Sequence, residues 1–365
     1  MKKVMLVFGT RPEAIKMCPL VLELRQRTGF RIVVCVTGQH RQMLDSVLDA
    51  FSVTPDHDLS IMDESQTLFD ITQKVMSGMR DVLLEEKPDV VLVHGDTTTT
   101  YASALAAFYL GISVGHVEAG LRTYDIRSPF PEEFNRQAVD IVSEWAFAPT
   151  ETSRSNLLKE GKPSEIIFVT GNTAIDALKT TVQKDYSHPA LDWVGDGRLV
   201  MLTAHRRENL GEPMRRIFRA VRRVTDEFSD LKIIYPVHLN PAVKEAAESE
   251  IGNHPRIRLI PPLDVLPFHN FLARSYLILT DSGGIQEEAP SLGKPVLVLR
   301  DTTERPEGVA AGTLQLVGTL EDDVYTGFKQ LLTDEVLYKA MSTASNPYGD
   351  GFASRRIADI LEKGL

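Results

Sequence analysis

Short runs of β-branched and apolar residues alternate along the chain with longer stretches of helical spacing, and this alternation restricts the possible fold more than any other feature. Such a pattern predicts parallel β-sheets that are covered by helices on both faces. The predicted strands are Val4–Phe8, Arg31–Thr37, Val90–His94, Ser113–Val117, Trp145–Ala148, Ile166–Thr170, Leu199–Thr203, Lys232–Pro236, Ile257–Ile260, Tyr276–Thr280, Pro295–Leu299 and Leu314–Val317. We therefore predict an α/β protein with two Rossmann-like, doubly wound parallel-sheet domains and a cleft between them.

The boundary between the two domains is predicted at about Thr180–Arg198, where Pro, Gly, Asp and Tyr mix without a clear period. Residues 1–180 then form an N-terminal domain, and residues 198–345 form a C-terminal domain. The closing segment, residues 346–365, has helical spacing, and we expect it to form a helix that packs back on the N-terminal domain.

The chain is acidic, with a formal net charge of −10 at pH 7 over its 365 residues. General affinity for nucleic acid requires a surplus of Lys and Arg on one face, so we do not expect a nucleic-acid-binding protein. A local cationic pocket for a small anionic substrate is still compatible with an acidic protein.

Neither the cysteines nor the apolar runs indicate secretion or a membrane. Cys18 and Cys35 lie among apolar residues without CxxC spacing, which argues against a disulfide framework. The apolar run Val4–Phe8 stops at Gly9–Glu13, too early for a signal peptide. No uncharged apolar stretch approaches the roughly 20 residues that span a bilayer, so we expect a soluble, cytoplasmic protein without a membrane partner.

Ligands of open α/β sheets bind beyond the carboxyl ends of the strands, so residues that follow a predicted strand are the functional candidates. After the first strand, Thr10 and Glu13 have the spacing of a capping box, and Pro12 lies in the first helical turn. A helix N-terminus beside Arg11 and Lys16 suits a phosphate or another anion. The alternative is a capped helix with two solvated cations.

Three acidic residues of the N-terminal domain are further candidates. Asp96, which is followed by four threonines, is either a functional carboxylate or the N-cap of the next helix. Glu118 follows an apolar strand between small residues, where a carboxylate can have a perturbed pKa. Glu132 is predicted at the start of a helix, a position that acidic side chains favour even without a function.

The C-terminal domain carries two loops of another kind. One strand end places His205 beside two arginines, which disfavour its imidazolium, whereas a bound phosphate would favour it. The other loop, Asp281–Ala289, runs from a strand through Ser-Gly-Gly into a helix, as in a backbone nest for a diphosphate. Glu288 then lies where a ribose diol would bind. The alternative is a plain glycine-rich turn.

Several common motifs are missing from the sequence. The nine histidines form no HxH, HxxxH or HExxH pair, and there is no GxSxG elbow. The first loop is neither a Walker loop nor a GxGxxG turn, so nothing indicates ATP or NAD. From the residues alone we infer a nucleotide-sugar enzyme, and its reaction stays open.

Six segments together resemble the bacterial non-hydrolysing UDP-N-acetylglucosamine 2-epimerases, and the resemblance extends from about residue 4 to residue 360. The segments are Gly9–Glu13, His94–Thr98, His116–Gly120, Pro131–Arg136, His205–Asn209 and Asp281–Glu288. The resemblance implies a glycosyltransferase-B-like fold, a homodimer, and neither a metal nor a redox cofactor.

The reaction that the resemblance implies is the reversible conversion of UDP-N-acetylglucosamine (UDP-GlcNAc) to UDP-N-acetylmannosamine (UDP-ManNAc), which supplies ManNAc for bacterial surface polysaccharide. UDP leaves by anti elimination, which gives 2-acetamidoglucal, and adds back with protonation on the other face of C2. By the same resemblance Asp96, Glu118 and Glu132 carry the proton transfers, and His205 assists at the phosphate. It does not assign which carboxylate serves which face.

The resemblance also implies two binding sites. One binds UDP through Arg11, Lys16, Phe268, Ser282, Gly283, Gly284, Glu288 and Arg305, with the uracil near Pro267 and Phe268. The other is a possible effector site for a second UDP-GlcNAc, matched by Gln39, Gln42, Arg206 and His238. Ser65 stands where effector-binding relatives have an arginine, so activation by the substrate is not implied.

Three other functions are compatible with parts of this pattern. A two-domain glycosyltransferase would use the UDP-sugar as a donor, but the carboxylates Asp96, Glu118 and Glu132 exceed what simple transfer needs. A hydrolysing epimerase would release free ManNAc and UDP, and only the resemblance separates it from the non-hydrolysing type. A nucleotide-sugar binding protein without catalysis would not need Asp96 and Glu118.

Overall fold

The structure, a computed structural model, describes residues 1–38, 41–63 and 66–365, apart from the side chains of residues 41–43. The chain divides into two compact units, of which the first comprises Met1–Thr180 and Tyr348–Leu365 and the second Thr181–Pro347. Each unit is built on one parallel sheet. Two doubly wound α/β domains, the predicted fold class, are thus confirmed.

In its described part, the first unit has a seven-stranded sheet in the order β3-β2-β1-β4-β5-β6-β7. Its strands are β1 (Lys2–Phe8), β2 (Phe30–Val36), β3 (His57–Asp58), β4 (Val90–His94), β5 (Ser113–Val117), β6 (Trp145–Ala148) and β7 (Ile167–Val169). Its helices are α1 (Arg11–Arg25), α2 (Arg41–Ala50), α3 (Leu68–Glu86), α4 (Thr98–Tyr109), α5 (Glu132–Val142), α6 (Glu151–Lys159), α7 (Thr173–Thr181, whose last residue is assigned to the second unit) and, at the chain end, α16 (Ala353–Gly364), with a 3-10 turn at Ser164–Ile166.

The second unit has a six-stranded sheet in the order β10-β9-β8-β11-β12-β13. Its strands are β8 (Arg198–Thr203), β9 (Leu231–Pro236), β10 (Ile257–Ile260), β11 (Leu277–Thr280), β12 (Val296–Val298) and β13 (Leu314–Leu316). Its helices are α8 (Pro189–Asp192), α9 (Glu212–Glu227), α10 (Pro241–Ile251), α11 (Val265–Arg274), α12 (Gly283–Ser291), α13 (Pro306–Ala310), α14 (Glu321–Thr333) and α15 (Glu335–Thr343), with a 3-10 turn at Arg207–Asn209.

The strand order reverses once in each sheet, and this reversal fixes where the functional loops lie. In the first unit it occurs between the neighbouring strands β1 and β4, and in the second between β8 and β11. The loops that leave these strands at their carboxyl ends diverge to opposite faces of the sheet and open a crevice for a ligand. Four of the loops singled out by sequence, which begin at Gly9, Gly95, Ala204 and Asp281, are these loops. The fifth, which carries Glu118, follows β5, the neighbour of β4.

All twelve predicted strands are present, and β4, β5, β6 and β10 have the predicted bounds. They were recognisable because a parallel strand buried on both faces reads as a continuous apolar run. The two-residue strand β3 was not predicted, since two polar residues give no such run.

The segment predicted as a linker has structure of its own. Residues 181–197 belong to the second unit and include the short helix α8, with Tyr186 and Trp193 packed against that unit's core. Helix α16 packs against α1 within the first unit. Within the described ranges, no helix has both the length and the apolar character to cross a membrane.

The two cysteines are core residues. Cys18 lies on α1 and Cys35 on β2, both fully buried and free. Burial raises the pKa of each thiol to about 12. Neither thiol is therefore a nucleophile at neutral pH, because the thiolate is the reactive form.

Candidate active site

A buried carboxylate joins the two loops at the strand-order reversal of the first unit. Glu13 on α1 accepts hydrogen bonds at Oε2 from the backbone N–H groups of Gly9 (3.1 Å) and Thr10 (2.8 Å). Its Oε1 accepts from the hydroxyls of Thr97 (2.8 Å) and Thr100 (3.1 Å). The predicted capping box is present. The sequence did not reveal that the same carboxylate also holds the loop after β4.

Asp96 is not a helix cap. The cap of α4 is Thr97, whose hydroxyl accepts a hydrogen bond from the N–H of Thr100 at 3.1 Å. The Asp96 carboxylate instead forms an ion pair with Arg136 of α5, and its backbone oxygen accepts a hydrogen bond from the Asn135 amide at 2.9 Å. These two contacts with α5 position the side chain. Since it is 28% exposed, it is still accessible to a ligand.

Glu118 is the most enclosed of the three candidate carboxylates, with 10% of its side chain exposed. Its Oε2 pairs with the Lys16 ammonium and accepts a hydrogen bond from the Asn172 amide at 2.9 Å. The Nε2 atom of His94 lies 3.6 Å from the same oxygen, beyond hydrogen-bond distance. Lys16, which the resemblance assigned to UDP, thus lies beside a proposed proton acceptor, and His94 was not singled out by sequence.

The surroundings of Glu118 keep it ionised. Burial alone raises the pKa of this carboxyl, but the nearby Lys16 and His94 outweigh burial and hold the pKa well below its usual range. The backbone of Glu118 has φ 68°, a left-handed conformation that costs a non-glycine residue about 1 kcal/mol or more. The unusual φ and the buried charge occur at one residue, and such coincidences concentrate at functional sites.

Adjacent glutamates at the start of α5 differ in their surroundings. Glu132 is the first residue of the helix, as predicted, and is half-buried. Glu133 is fully buried and accepts hydrogen bonds from the backbone N–H groups of Thr123 and Tyr124, both at 3.0 Å. Glu133 therefore fixes the loop before α5, whereas Glu132 keeps its carboxylate available.

The strand-order reversal of the second unit is organised by Asp281. Its Oδ2 accepts hydrogen bonds from the backbone N–H groups of His205 and Arg206, both at 2.8 Å, and from the Asn209 amide at 3.1 Å. Its Oδ1 lies 3.4 Å from Nδ1 of His205. A fully buried carboxylate thus fixes the loop that carries His205 and faces the imidazole ring, a role that the sequence did not reveal.

His205 is held as a neutral imidazole. Burial lowers its pKa most, His238 and Arg206 lower it further, and Asp281 opposes them in part. The ring stacks on that of His238, with centroids 5.5 Å apart and an interplanar angle of 12°. The direction agrees with the sequence-based expectation, although burial contributes more than the neighbouring cation.

The Ser-Gly-Gly segment opens a helix that two cations flank. Ser282 is the N-cap of α12, and its hydroxyl makes no capping bond within the described residues. A Cβ atom placed on Gly283 would lie 3.6 Å from an Nη2 atom of Arg206 and 3.8 Å from that of Arg305. The N–H groups at a helix N-terminus beside two guanidinium groups form a site for a phosphate anion.

Three residues of the predicted UDP site, Glu288, Phe268 and Arg305, lie on or near this helix. Glu288 of α12 has Oε2 3.5 Å from Nε2 of His269, a buried residue of α11 whose Nδ1 is 2.7 Å from the Thr181 hydroxyl. Phe268, half-buried, precedes His269. Arg305 forms an ion pair with buried Glu287. These contacts fix the orientation of both Glu288 and Arg305.

The predicted site residues fall into two groups. Arg11, Lys16, Asp96, Glu118 and Glu132 belong to the first unit, and the remaining UDP-binding residues with His205 to the second. Of the possible effector site, Arg206 and His238 adjoin His205, while Gln39 and the Gln42 side chain, like Ser65, lie outside the described residues. In the described part of the chain, no group of three or more His, Cys, Asp or Glu residues is arranged to hold a metal ion.

Comparison with known proteins assigns this arrangement to a family. The family model for UDP-N-acetylglucosamine 2-epimerases matches residues 22–362. A UDP-N-acetylglucosamine 2-epimerase of Bacillus subtilis (strain 168) is 63% identical over 359 residues, which cover 98% of this chain and 94% of the relative.

Two solved structures are similar over nearly their whole length. A structure of Staphylococcus aureus MnaA with UDP has a TM-score of 0.91 and 56% identity, and the match covers 99% of this chain and 96% of that one. The UDP-GlcNAc 2-epimerase from Neisseria meningitidis, bound to UDP-GlcNAc, has a TM-score of 0.90 and 48% identity, with coverage of 99% and 100%.

Proposed function

The chain belongs to the UDP-N-acetylglucosamine 2-epimerase family, and from this premise we propose that it interconverts UDP-GlcNAc and UDP-ManNAc without releasing free sugar. The substrate is proposed from the Neisseria relative bound to UDP-GlcNAc and the Staphylococcus relative bound to UDP. The observation that carries the mechanism is the ionised, enclosed carboxylate of Glu118 beside Lys16.

The first step is anti elimination. A carboxylate removes the proton from C2 of the sugar, the electrons form the C1–C2 double bond, and UDP leaves from C1, giving 2-acetamidoglucal. Glu118 suits the role of base because it is ionised and shielded, and Lys16 stabilises the charge before the proton arrives. Asp96, partly exposed and held by Arg136, supplies a second carboxyl group for proton transfer, and Glu132 a third.

The second step returns UDP to C1 while a proton is delivered to the opposite face of C2, so the overall reaction is an isomerisation. UDP must therefore remain bound after it has left the sugar. The helix N-terminus at Ser282 and Gly283, with Arg206 and Arg305, offers a site that binds the diphosphate more strongly as its negative charge increases. His205, neutral without ligand, is placed to take up a proton beside the departing phosphate.

We further propose that the protein is a homodimer that associates through α3, α4 and α5. Helix α4 packs against both α3 and α5. Together the three helices expose large apolar side chains, among them Phe69 (85% exposed), Tyr109 (68%) and Ile141 (76%). Apolar surface of this kind marks association sites. Light scattering of the purified protein should give twice the 40.6 kDa of one chain, and a monomeric mass would refute this part of the proposal.

The reaction is tested by proton and phosphorus NMR of the purified protein with UDP-GlcNAc in heavy water, without added cofactor. The expected result is UDP-ManNAc with deuterium at C2 and only a trace of free ManNAc. Accumulation of free ManNAc and UDP would mean that the protein is a hydrolysing epimerase. A sample that stays unchanged until an acceptor sugar is added would mean that it is a glycosyltransferase.

The product has a proposed use in the cell. We propose that UDP-ManNAc supplies ManNAc units to a bacterial surface polysaccharide, since the Bacillus and Neisseria relatives are bacterial enzymes that carry the same 2-epimerase name. Deleting the gene should remove ManNAc from the polysaccharide of the source bacterium. Unchanged ManNAc content after deletion would contradict this use.

A further inference from the structure

A buried ionic cluster lies beneath the loops that carry the candidate carboxylates of the first unit. It consists of His116 on β5, Asp140 on α5, Arg122 after β5 and Glu160 after α6. The His116 and Arg122 side chains are fully buried, and Asp140 is nearly so, whereas Glu160 at the outer end of the cluster is 31% exposed. None of the four belongs to the machinery proposed above, and a buried cluster of charges requires an explanation because desolvating it is costly.

Both ring nitrogens of His116 face oxygen atoms that accept hydrogen bonds. Nε2 lies 2.7 Å from the backbone oxygen of Gly95, and Nδ1 lies 2.6 Å from Oδ1 of Asp140. A carbonyl oxygen and a carboxylate have no proton to give, whereas a neutral imidazole donates from only one nitrogen. The two contacts are satisfied together only when the ring carries two protons.

The neighbouring charges support this protonation state. Burial raises the pKa of the Asp140 carboxyl, but His116 and Arg122 outweigh burial and lower it, so the carboxylate is ionised. Arg122 donates to Asp140 Oδ2 and to Glu160 Oε2, both at 2.7 Å. With an imidazolium at His116 the four side chains balance in charge. Lys162, also near the cluster, donates to the backbone oxygens of Ile141 and Ser143.

The cluster fixes the backbone on both sides of the candidate site. The Gly95 oxygen that His116 binds belongs to the peptide directly before Asp96, and the Gly95 N–H donates to the Val117 oxygen at 2.9 Å. Asp140 Oδ2 also accepts a hydrogen bond from the N–H of Gly120 at 3.2 Å, two residues after Glu118. One buried pair of side chains thus connects the loop of Asp96 to the loop of Glu118.

We propose that His116 is a positioning residue of the epimerase site, a buried imidazolium that fixes the Gly95–Asp96 peptide against β5 and so sets the carboxylate of Asp96 relative to that of Glu118. The inference rests on the proposed function for the meaning of that geometry. His116 does not touch the substrate, because its side chain is fully enclosed. It acts on turnover through Asp96, since small displacements of reacting groups cost rate more than binding.

Two substitutions separate the contacts of the ring. His116→Gln places an amide nitrogen near the Nε2 position and keeps a donor for the Gly95 oxygen, whereas His116→Asn places one near the Nδ1 position and loses that donor. We expect His116→Asn to lower kcat about 100-fold and to change KM and the Kd for UDP less than about threefold. His116→Gln should recover at least about tenfold of the lost kcat.

The matched control is His57→Gln. His57 lies on β3 of the same sheet and pairs with Glu86 through Nε2 at 2.9 Å, but it contacts neither candidate loop. This variant should retain the kcat of the wild type. Folding of each variant is followed by circular dichroism and melting temperature. Folded His116 variants with a kcat within about twofold of the wild type, or activity that follows only the folded fraction, would overturn the proposal.

A second measurement uses the wild-type protein and does not depend on how the variants fold. In nitrogen-15 NMR of histidine-labelled protein, both ring nitrogens of His116 should carry protons in the folded state, as its two contacts require, and an unprotonated nitrogen there would overturn the proposal. This measurement is independent of the proposed function. If the wild type fails to epimerise UDP-GlcNAc, the proposed function is wrong, but the protonation of the His116 ring is still tested by NMR.

Discussion

The two units share one architecture and carry opposite chemistry at the same place in it. In both, loops that carry candidate residues leave the sheet at the reversal of strand order, after β1 and β4 or after β8 and β11. In the first unit the loop after β4 and the loop after its neighbour β5 present carboxylates, Asp96 and Glu118, that cations of the protein already neutralise. In the second they present helix N–H groups and two guanidinium groups. We infer that the scaffold fixes where a ligand binds, and that the loops determine whether a unit transfers protons or binds an anion.

Each unit also uses one buried aspartate to hold its loops. Asp140 in the first unit binds His116, Arg122 and the backbone of Gly120. Asp281 in the second binds the backbone of the His205 loop and faces its ring. The two aspartates differ in the histidine beside them. His116, beside Asp140, lies between two hydrogen-bond acceptors. The pKa of His205, beside Asp281, is lowered by burial and by a neighbouring cation. If the division of labour is correct, substitutions in the first unit change kcat and those in the second change affinity.

The largest effect is expected at Glu118. Glu118→Gln keeps the shape of the side chain but cannot accept the C2 proton, so kcat should fall by at least about 1,000-fold. The Kd for UDP, measured by calorimetry, should change less than about threefold. Glu144→Gln is the control, because Glu144 binds the Ser113 hydroxyl at the opposite end of β5. A loss of UDP affinity in Glu118→Gln as large as the loss of kcat would contradict the assignment of catalysis to the first unit and of UDP binding to the second.

The converse effect is expected at Arg305. Arg305→Gln removes a guanidinium beside Gly283. The Kd for UDP should rise about 10- to 100-fold, because one or two charge-assisted hydrogen bonds are lost. At saturating substrate kcat should stay within about threefold of the wild type. Because buried Glu287 loses this ion pair, the melting temperature should also fall. Arg223→Gln, on the exposed face of α9, should change neither constant.

A smaller effect concerns protons taken up on binding. The pKa of His205 lies below its usual value without ligand, so at pH 7 the ring is neutral. A diphosphate beside it favours the imidazolium and raises the pKa, so UDP binding should take up a fraction of one proton. Calorimetry in buffers of different ionisation enthalpy measures this uptake. His205→Asn should abolish it, and uptake that persists in this variant would exclude His205 as its source.

The smallest effect is expected at Glu304 in the loop before α13. Burial raises the pKa of Glu304, but hydrogen bonds from Arg300 outweigh burial and lower it to about 2. A carboxyl with a depressed pKa in the folded state adds stability above its unfolded pKa, and this stability is lost as the pH falls towards 2. Glu304→Gln should lower the free energy of unfolding at pH 7 by at most about 1 kcal/mol, since the side chain is 46% exposed.

Urea unfolding of both proteins between pH 3 and pH 7 measures this difference. The difference in free energy of unfolding between the wild type and Glu304→Gln should become smaller as the pH falls. A difference that is constant with pH would mean that the carboxylate charge contributes nothing to the stability of this loop.

Much of the fold could be predicted from the sequence, because the signal for each central strand is local. Val90–His94 is buried along its whole length and reads as an apolar run, so its bounds were predicted. The ends of these strands could be predicted as well, and with them the loops of Asp96, Glu118 and His205. The strand β3 could not, since it is two polar residues that pair only with the edge of β2.

The contacts within the candidate site were less accessible to sequence reasoning. Glu13 was predicted as a local cap, but its second role depends on Thr97, 84 residues away. Asp96 could be a cap by local rules, but in the structure Thr97 caps α4 and Asp96 pairs with Arg136 on α5. The contacts of Asp281 and His94 could not be predicted, because their partners are brought to them by neighbouring strands. Local chemistry is readable from the sequence, whereas the pairing of charges requires the folded chain.

The burial of Cys18 and Cys35 makes the protein convenient for spectroscopic labelling. Both thiols lie inside the sheet-and-helix core of the first unit and stay protonated at neutral pH. Maleimide reagents, which are attacked by thiolates at the surface, should therefore leave the native protein unmodified. A single cysteine introduced at an exposed position would then carry a fluorophore or a spin probe without prior removal of the natural ones.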